Sequence, residues 1–348
     1  VTEILDLART WRPVDLAEVL SGAYRSPVPS VGARSDGIGL FYPGRVHTII
    51  GETEGGKTWV ALLACRTELD AGHHVIYLDF EDDAAGVVGR LLALGVAPDT
   101  IAERFHYLHP EEQFSDTARG ELADLVVSCS PTLAVLDGVT EAMSLFGLEL
   151  KDNTDTAKFN RRLLAWLAAL GPAVVTLDHV VKDREARGLY AMGAAHKING
   201  LNGATYILVN RSPFGEGVTG RSTIYIRKDR PAGLRKHALP ARDGLAWFAD
   251  LVIESTVHYG QPHLAGDLYP PEPEEHQFRP TRLMKRVSDA LQRAGQPLNA
   301  RGVLDRVTGK QADIRAAVAA LVDEGYVAVE GGPRGAQLHR LVKPYEEK

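Results

Sequence analysis

The chain has 348 residues, 45% hydrophobic and 24% charged, a globular composition with enough apolar mass for a large core and for two domains. Its net charge of -6 excludes a uniformly basic nucleic-acid binder, but the charge is uneven. Arg279 to Lys348 hold 13 Lys/Arg against 8 Asp/Glu, a net of +5, and the preceding residues hold 26 against 37, a net of -11. That asymmetry permits a nucleic-acid contact by the tail, although such a surplus is also common on inert surfaces.

The two cysteines, Cys65 and Cys129, lie inside apolar helical or strand-like runs and read as buried thiols. No metal or disulfide framework can be read from them. No signal peptide opens the sequence and no apolar run is long enough to cross a bilayer, so a cytoplasmic protein with no membrane partner is expected.

In chain order, residues 1–45 read as a leader, with a short helical segment over Asp15 to Ser21 and a Pro/Gly-rich stretch from Pro27 to Gly39. The leader is expected to pack against the body or to reach onto a neighbouring subunit. Residues 46–258 alternate strand-like runs (46–50, 74–80, 104–108, 132–137, 172–177, 204–210, 221–228) with helical patterns (57–70, 83–94, 115–128, 156–171). This alternation predicts an α/β fold whose mainly parallel sheet is covered on both faces, the last two strands forming an antiparallel extension. Residues 259–279, poor in apolar groups and carrying Pro270-Pro271-Glu272-Pro273, read as a linker. Over 280–345, helices at 281–293, 299–306 and 311–324 precede a hairpin of 326–330 and 336–342, which is the winged-helix plan.

The sharpest motif is Gly51-Glu52-Thr53-Glu54-Gly55-Gly56-Lys57-Thr58, set between the apolar run Val46 to Ile50 and the helical segment that opens at Trp59. Glycine, four free positions, glycine, lysine and threonine is the phosphate-binding loop pattern, in the strand–loop–helix context it requires. Backbone N–H groups can curl round a phosphate at the helix N-terminus, Lys57 can reach the β/γ-phosphates, and the Thr58 hydroxyl can ligate Mg²⁺. The chemistry needs carboxylates. Asp137 ends the apolar strand Leu133 to Leu136, where it either holds Mg²⁺ or forms a turn before Gly138. Glu81 follows the strand Val75 to Phe80 as a candidate base, while Asp82 or Asp83 could cap the next helix. His179, at the tip of the strand that begins at Ala173, is a candidate phosphate sensor or a hydrogen-bonded rim histidine.

These pieces resemble the RecA-like ATPase superfamily. The resemblance covers roughly residues 35–255 and leans toward the branch of RepA-type hexameric helicases and actinobacterial and phage AAA-family ATPases. It rests on the loop, on Tyr77-Leu78-Asp79-Phe80-Glu81 and on Arg90-Leu91-Leu92-Ala93-Leu94-Gly95; the leader runs Trp11 to Leu16 and Arg34 to Gly44 also look like those relatives. The resemblance implies a RecA-like core using ATP and Mg²⁺, with nucleotide held by Gly51 through Trp59 and by Arg90, whose guanidinium would lie near the adenine. It makes Glu81 the catalytic glutamate and His179 the sensor. It also implies that Lys228 and Arg230 act on a neighbouring subunit's γ-phosphate, although a basic hairpin edge would look the same. It therefore implies a homo-oligomer, hexameric in the helicases.

The loop carrying Lys182, Arg184, Arg187 and Lys197 corresponds to the pore-facing, single-strand DNA-binding loop of ring-forming relatives, although it is mixed in sign and Tyr190 is its one stacking ring. In the tail module the third helix is the recognition-helix candidate. Ile314, Val318, Leu321 and Val322 form its core stripe, and Lys310 and Arg315, with Arg334 at the wing, are the candidate duplex contacts. A protein-binding tail is the alternative. The expected activity is DNA-coupled ATP hydrolysis, helicase-like or DNA-remodelling. The competing expectation is a nucleotide-switched DNA-binding regulator or loader with a slow ATPase.

Overall fold

The alternation along strand Val75–Asp79 dictates the architecture: Val75 and Tyr77 enter one apolar cluster, while Ile76 and Leu78 enter another on the opposite face. A strand buried on both sides needs a helical layer on each face of its sheet. The computed structural model supplies both layers; it describes residues 13–149, 152–179, 200–241, 244–258, 261–272, 281–332 and 337–346. The chain divides into a unit ending at Pro271 and a unit from Glu272 to Lys348.

The first unit opens with a short helix, α1 (Ala17–Leu20), and a hairpin of β1 (Val31–Ala33) and β2 (Gly39–Phe41). Its ten-stranded sheet comprises β3 (Val46–Gly51), β4 (Val75–Asp79), β5 (Phe105–Leu108), β6 (Leu133–Asp137), β7 (Ala173–His179), β8 (Ala204–Ser212), β9 (Thr219–Asp229), β10 (Leu239–Pro240), β11 (Ala246–His258) and β12 (Gln261–Tyr269). The order is β5-β4-β6-β7-β3-β8-β9-β11-β10, with β12 also on β11. Neighbours from β5 to β8 are parallel, and the pairs beyond β8 are antiparallel.

Helices α2 (Lys57–Asp70), α3 (Ala84–Ala93) and α4 (Pro98–Arg104) cover one face together with the β1–β2 hairpin. The other face carries α5 (Asp116–Cys129), α6 (Val139–Leu145) and α7 (Asn153–Phe159), which runs through a π-helical stretch, 160–164, into α8 (Ala165–Ala169). Register aligns Gly51 with His179 and Asp137 with both Leu177 and Asp79. One rim of the sheet thus gathers the carboxyl ends of β3, β4, β6 and β7. The α/β class and the mainly parallel core are as expected.

Residues 31–42 of the leader pack against the body, one of its two expected placements: Leu40, Phe41 and Tyr42 are core, and β1 lies against α2, where a Cβ on Gly32 would meet Ala64 Cβ at 2.8 Å. Two expectations need correction. Residues 261–269 are not linker: β12 completes a hairpin with β11, and Leu268 is buried. As an edge strand, β12 needs only one apolar face and tolerates Pro262, which hid it in the composition. Strand β11 also escaped the sequence reading, because a register shift between Trp247 and Ala249 breaks its alternation.

The second unit holds α9 (Thr281–Ala294), α10 (Ala300–Leu304) and α11 (Gln311–Asp323). A three-stranded antiparallel sheet, ordered β13 (Leu298–Asn299), β15 (Gln337–Leu341), β14 (Val327–Gly331), packs with them. Its core includes Met284, Val287, Leu291, Val303, Ile314, Leu321 and Tyr345. Of the expected α11 stripe, Ile314 and Leu321 are fully buried while Val318 and Val322 are partly so. Asn299 caps α10 by accepting the Gly302 N–H at 2.8 Å. Among the described residues, no helix is long and apolar enough to cross a membrane.

Candidate functional site

Every residue of β3 is buried, so the strand delivers Gly51 rigidly to the sheet rim. The chain then turns tightly. Glu54 takes φ +59°, uncommon for a residue with a Cβ, and the Gly55 N–H donates to Glu52 O at 3.1 Å. The Ser222 hydroxyl on β9 donates to Gly55 O at 2.8 Å and pins the loop from the far side. Gly56 has φ +94°, and a Cβ there would stand 2.8 Å from both Leu251 and Phe214, so only glycine fits. Gly56 is the N-cap of α2 and offers no side chain to the first-turn N–H groups, which leaves them as donors for an anion.

Lys57 is buried. Its ammonium donates to Gly51 O (3.2 Å) and Glu52 O (2.9 Å) and lies 3.2 Å from His179 Nδ1. Burial lowers its pKa, while the nearby carboxylates of Asp137, Glu81 and Asp178 oppose the shift. From the next residue, the Thr58 hydroxyl donates to Asp137 Oδ2 at 3.3 Å, and the Tyr77 hydroxyl donates to the same oxygen at 2.8 Å. Burial pushes Asp137 up to about 6; the Tyr77 hydrogen bond opposes this, and the charges of Glu81 and Asp79 add to it. A hydroxyl beside a buried carboxylate is the oxygen donor set that suits Mg²⁺.

Asp79, which ends β4, and the three acids after it divide their work. Asp79, fully buried, accepts the N–H groups of Glu81 and Asp82 at 3.0 Å each, and its other oxygen takes the Tyr107 hydroxyl at 3.0 Å. This holds the turn that carries Glu81, whose Oε1 stands 3.4 Å from His179 Nε2. Asp82 accepts from Arg90 at 2.8 Å, and the Arg90 guanidinium lies 6.0 Å from the Trp59 ring centre. Asp83 caps α3 through the Gly86 N–H at 2.7 Å. Gly138, at φ +86°, lets β6 pass Glu81: a Cβ there would fall 2.8 Å from Glu81 Cγ.

Thr53 through Trp59, Glu81, Asp82, Arg90, Asp137 and His179 line one cavity of roughly 660 Å³, closed on another side by Phe214, Gly215 and Glu216. It lies at the carboxyl ends of the parallel strands, where ligands bind in open α/β sheets. The structure therefore brings together the loop residues, Glu81, Arg90, Asp137 and His179. It does not bring Lys228 and Arg230 to this cavity. Lys228 pairs in register with Thr205 and donates to Leu201 O at 2.8 Å, and the Arg230 N–H donates to Gly203 O at 3.2 Å. Gly203 in turn bonds Val46 at the start of β3, so the pair sits at the rim opposite the loop.

Lys310 and Arg315 are exposed at the start of α11 in the second unit. Lys182, Arg184, Arg187, Lys197 and Arg334 lie outside the described residues. Sequence reasoning missed Tyr77, Asp79, Ser222 and Phe214 to Glu216. A strand-end Asp79 two residues before Glu81 was visible, but the 213–216 loop carries no distinguishing signal.

A left-handed glycine turn feeding a long helix, a buried lysine folded back over it, and a Thr–Asp pair joining that helix to the end of β6 define a P-loop nucleotide-binding protein. Residues 12–185, half of the chain, match the AAA domain family, and the chain belongs to it. Membership places it in a superfamily of ATP-binding hydrolases. No curated protein matches the chain.

Proposed function

We propose that this protein is a DNA-coupled ATP hydrolase of the RepA-like, ring-forming RecA branch, with a helicase-like or DNA-remodelling role in a plasmid, phage or integrated element. The observation that carries the catalytic half is the convergence on one cavity of Lys57, the Thr58–Asp137 pair and the Glu81–His179 pair. The loop N–H groups and Lys57 bind the phosphates, and Arg90 with Trp59 flanks the base. Thr58 and Asp137 would hold Mg²⁺, which when bound neutralises charge on the phosphate oxygens.

Glu81 orients the attacking water and accepts its proton. His179, within reach of both Lys57 and Glu81, links the phosphate-facing cation to the base and reports when the phosphate leaves. Lys228 and Arg230 complete a neighbour's cavity. The exposure of Leu16, Val19 and Leu20 on the leader supports assembly, since a helix docked only on its own body would bury them. The second unit reads as a winged helix whose Lys310 and Arg315 meet duplex phosphates, and the 182–197 loop reads as the single-strand contact.

The strong negative charge of residues 1–278 favours a second reading, in which only the tail holds DNA and a slow ATPase acts as a switch. The test is ATP turnover by the full chain and by Glu81→Gln, with and without single-stranded DNA, alongside mass by light scattering. DNA-stimulated turnover by an oligomer, reduced ~100-fold or more in the variant, is the expected result. A monomer with DNA-indifferent turnover would move the weight to the switch.

A further inference from the structure

A second constellation of ligating side chains lies at the rim of the sheet away from the nucleotide cavity. His74 immediately precedes β4, His106 lies beside it on β5 in register with Ile76, and Cys129 is the last residue of α5. The turn that delivers Cys129 is specific. Ser130 adopts φ +48°, closing α5 with its N–H on Val126 O at 2.8 Å, and two residues later the Thr132 N–H donates to His74 O at 3.1 Å. The result sets His74 Nδ1 3.0 Å from His106 Nε2, the rings nearly parallel at 15°, and a ring nitrogen of each histidine and the Cys129 sulfur all lie within 4.8 Å of one another.

We propose that His74, His106 and Cys129 form a transition-metal site, suited to Zn²⁺ before other divalent ions, that clips β4, β5 and the end of α5 together. Zn–N bonds of ~2.0–2.1 Å and a Zn–S bond of ~2.3 Å in a tetrahedron place ligand atoms ~3.3–3.7 Å apart. The observed spacing reaches that arrangement with small rotamer adjustments. The donor set is right in kind: imidazole and thiolate together select Zn²⁺ over Mg²⁺ or Ca²⁺. A cation is also favoured at the C-terminus of the 14-residue α5, where the last carbonyls carry partial negative charge.

Binding there takes both imidazoles in the neutral form and the Cys129 sulfur as thiolate, its proton passing to solvent. All three side chains are only partly buried, so an ion and one water can enter. Three protein ligands leave the fourth position of a tetrahedron to that water. A metal here would act on the fold, since β4 carries Asp79 at its far end, ~17 Å along the strand, with Glu81 two residues beyond.

The chain has two cysteines, and Cys65 is completely buried, so sulfur chemistry reports on Cys129. Titrating the reduced full-length protein with Co²⁺ should give a tetrahedral spectrum with a sulfur-to-cobalt charge-transfer band, saturating at one equivalent and bleached by Zn²⁺. One equivalent of Zn²⁺ should slow the reaction of Cys129 with a thiol-specific disulfide reagent by about tenfold or more. His106→Gln and Cys129→Ser, checked for native circular dichroism, should each abolish the charge-transfer band. Thiol reactivity indifferent to Zn²⁺ in the wild type would overturn the site even if a variant failed to fold. A cobalt spectrum without sulfur character would overturn it too, placing the ion on the oxygen ligands of the nucleotide cavity. Either of those results would reduce the His74–His106 contact to a hydrogen bond between neutral rings.

Discussion

His47 illustrates how much one buried ring can govern. It is fully buried in the middle of the sheet, its Nδ1 accepting the Ala204 N–H at 3.0 Å. Its Nε2 stands 3.1 Å from both the Tyr42 N–H and Tyr42 O, and Phe41 and Tyr42 enclose the ring. Burial drives its pKa from 6.5 down to about 4. The unfolded chain therefore binds the proton first as pH falls. The stability His47 contributes is complete above 6.5, declines between 6.5 and about 4, and over that window amounts to ~3 kcal/mol. Urea unfolding at a series of pH values should show this slope, and His47→Gln, less stable at neutral pH, should lose most of it. At the site, Gly138→Ala would set a Cβ against Glu81 and force an unfavourable φ. It should cost about 1–2 kcal/mol of stability and cut ATP turnover more than nucleotide affinity, read as kcat against KM.

Single side chains also join elements. Glu68 on α2 is buried and accepts from the Gly32 N–H of β1 (2.7 Å), the Thr132 hydroxyl at the entry to β6 (2.6 Å) and His73 Nδ1 (2.8 Å). Glu68→Ala leaves all three donors without this partner and should cost ~3 kcal/mol, seen as a lower urea midpoint at unchanged m-value. This clamp also shows which parts of the fold are legible in sequence. The parallel strands, the long helices of the first unit and the helices of the second fall within a few residues of expectation, because apolar period and turn residues agree there. The β1–β2 hairpin is three residues a side and is held by Glu68 from far along the chain, so no local pattern marks it. At the nucleotide site, Lys57 was legible from the spacing of the glycine loop, Asp137 and His179 because they end apolar strands, and Glu81 because it closely follows one. His74, His106 and Cys129 were not, because their proximity arises only once β4, β5 and α5 are stacked.

For the whole molecule, the decisive geometry is the separation of Lys228 and Arg230 from their own cavity. Lys228 is level with Thr205, Thr205 with Thr48, and Gly203 is bonded to Val46, whereas the phosphate loop leaves β3 at Gly51. Along β3 the rise to Gly51 is ~10 Å from the level of Lys228 and ~17 Å from that of Arg230, and the Lys228 ammonium is turned to Leu201 O, so neither cation reaches a phosphate held by its own Lys57. A catalytic role for the pair thus requires another subunit, and mixing separates this from a purely structural role. Lys57→Ala has a disabled cavity with an intact basic pair, and Arg230→Ala has the reverse. Each alone should hydrolyse ATP poorly. Mixed equally and allowed to exchange subunits, ~25% of interfaces pair an intact cavity with an intact Arg230, so turnover should recover toward a quarter of wild type. Retained turnover in Arg230→Ala alone would remove Arg230 from catalysis. Failure of the mixture to recover, with exchange verified by light scattering of tagged subunits, would leave Lys228 and Arg230 as the hydrogen-bonded end of a hairpin.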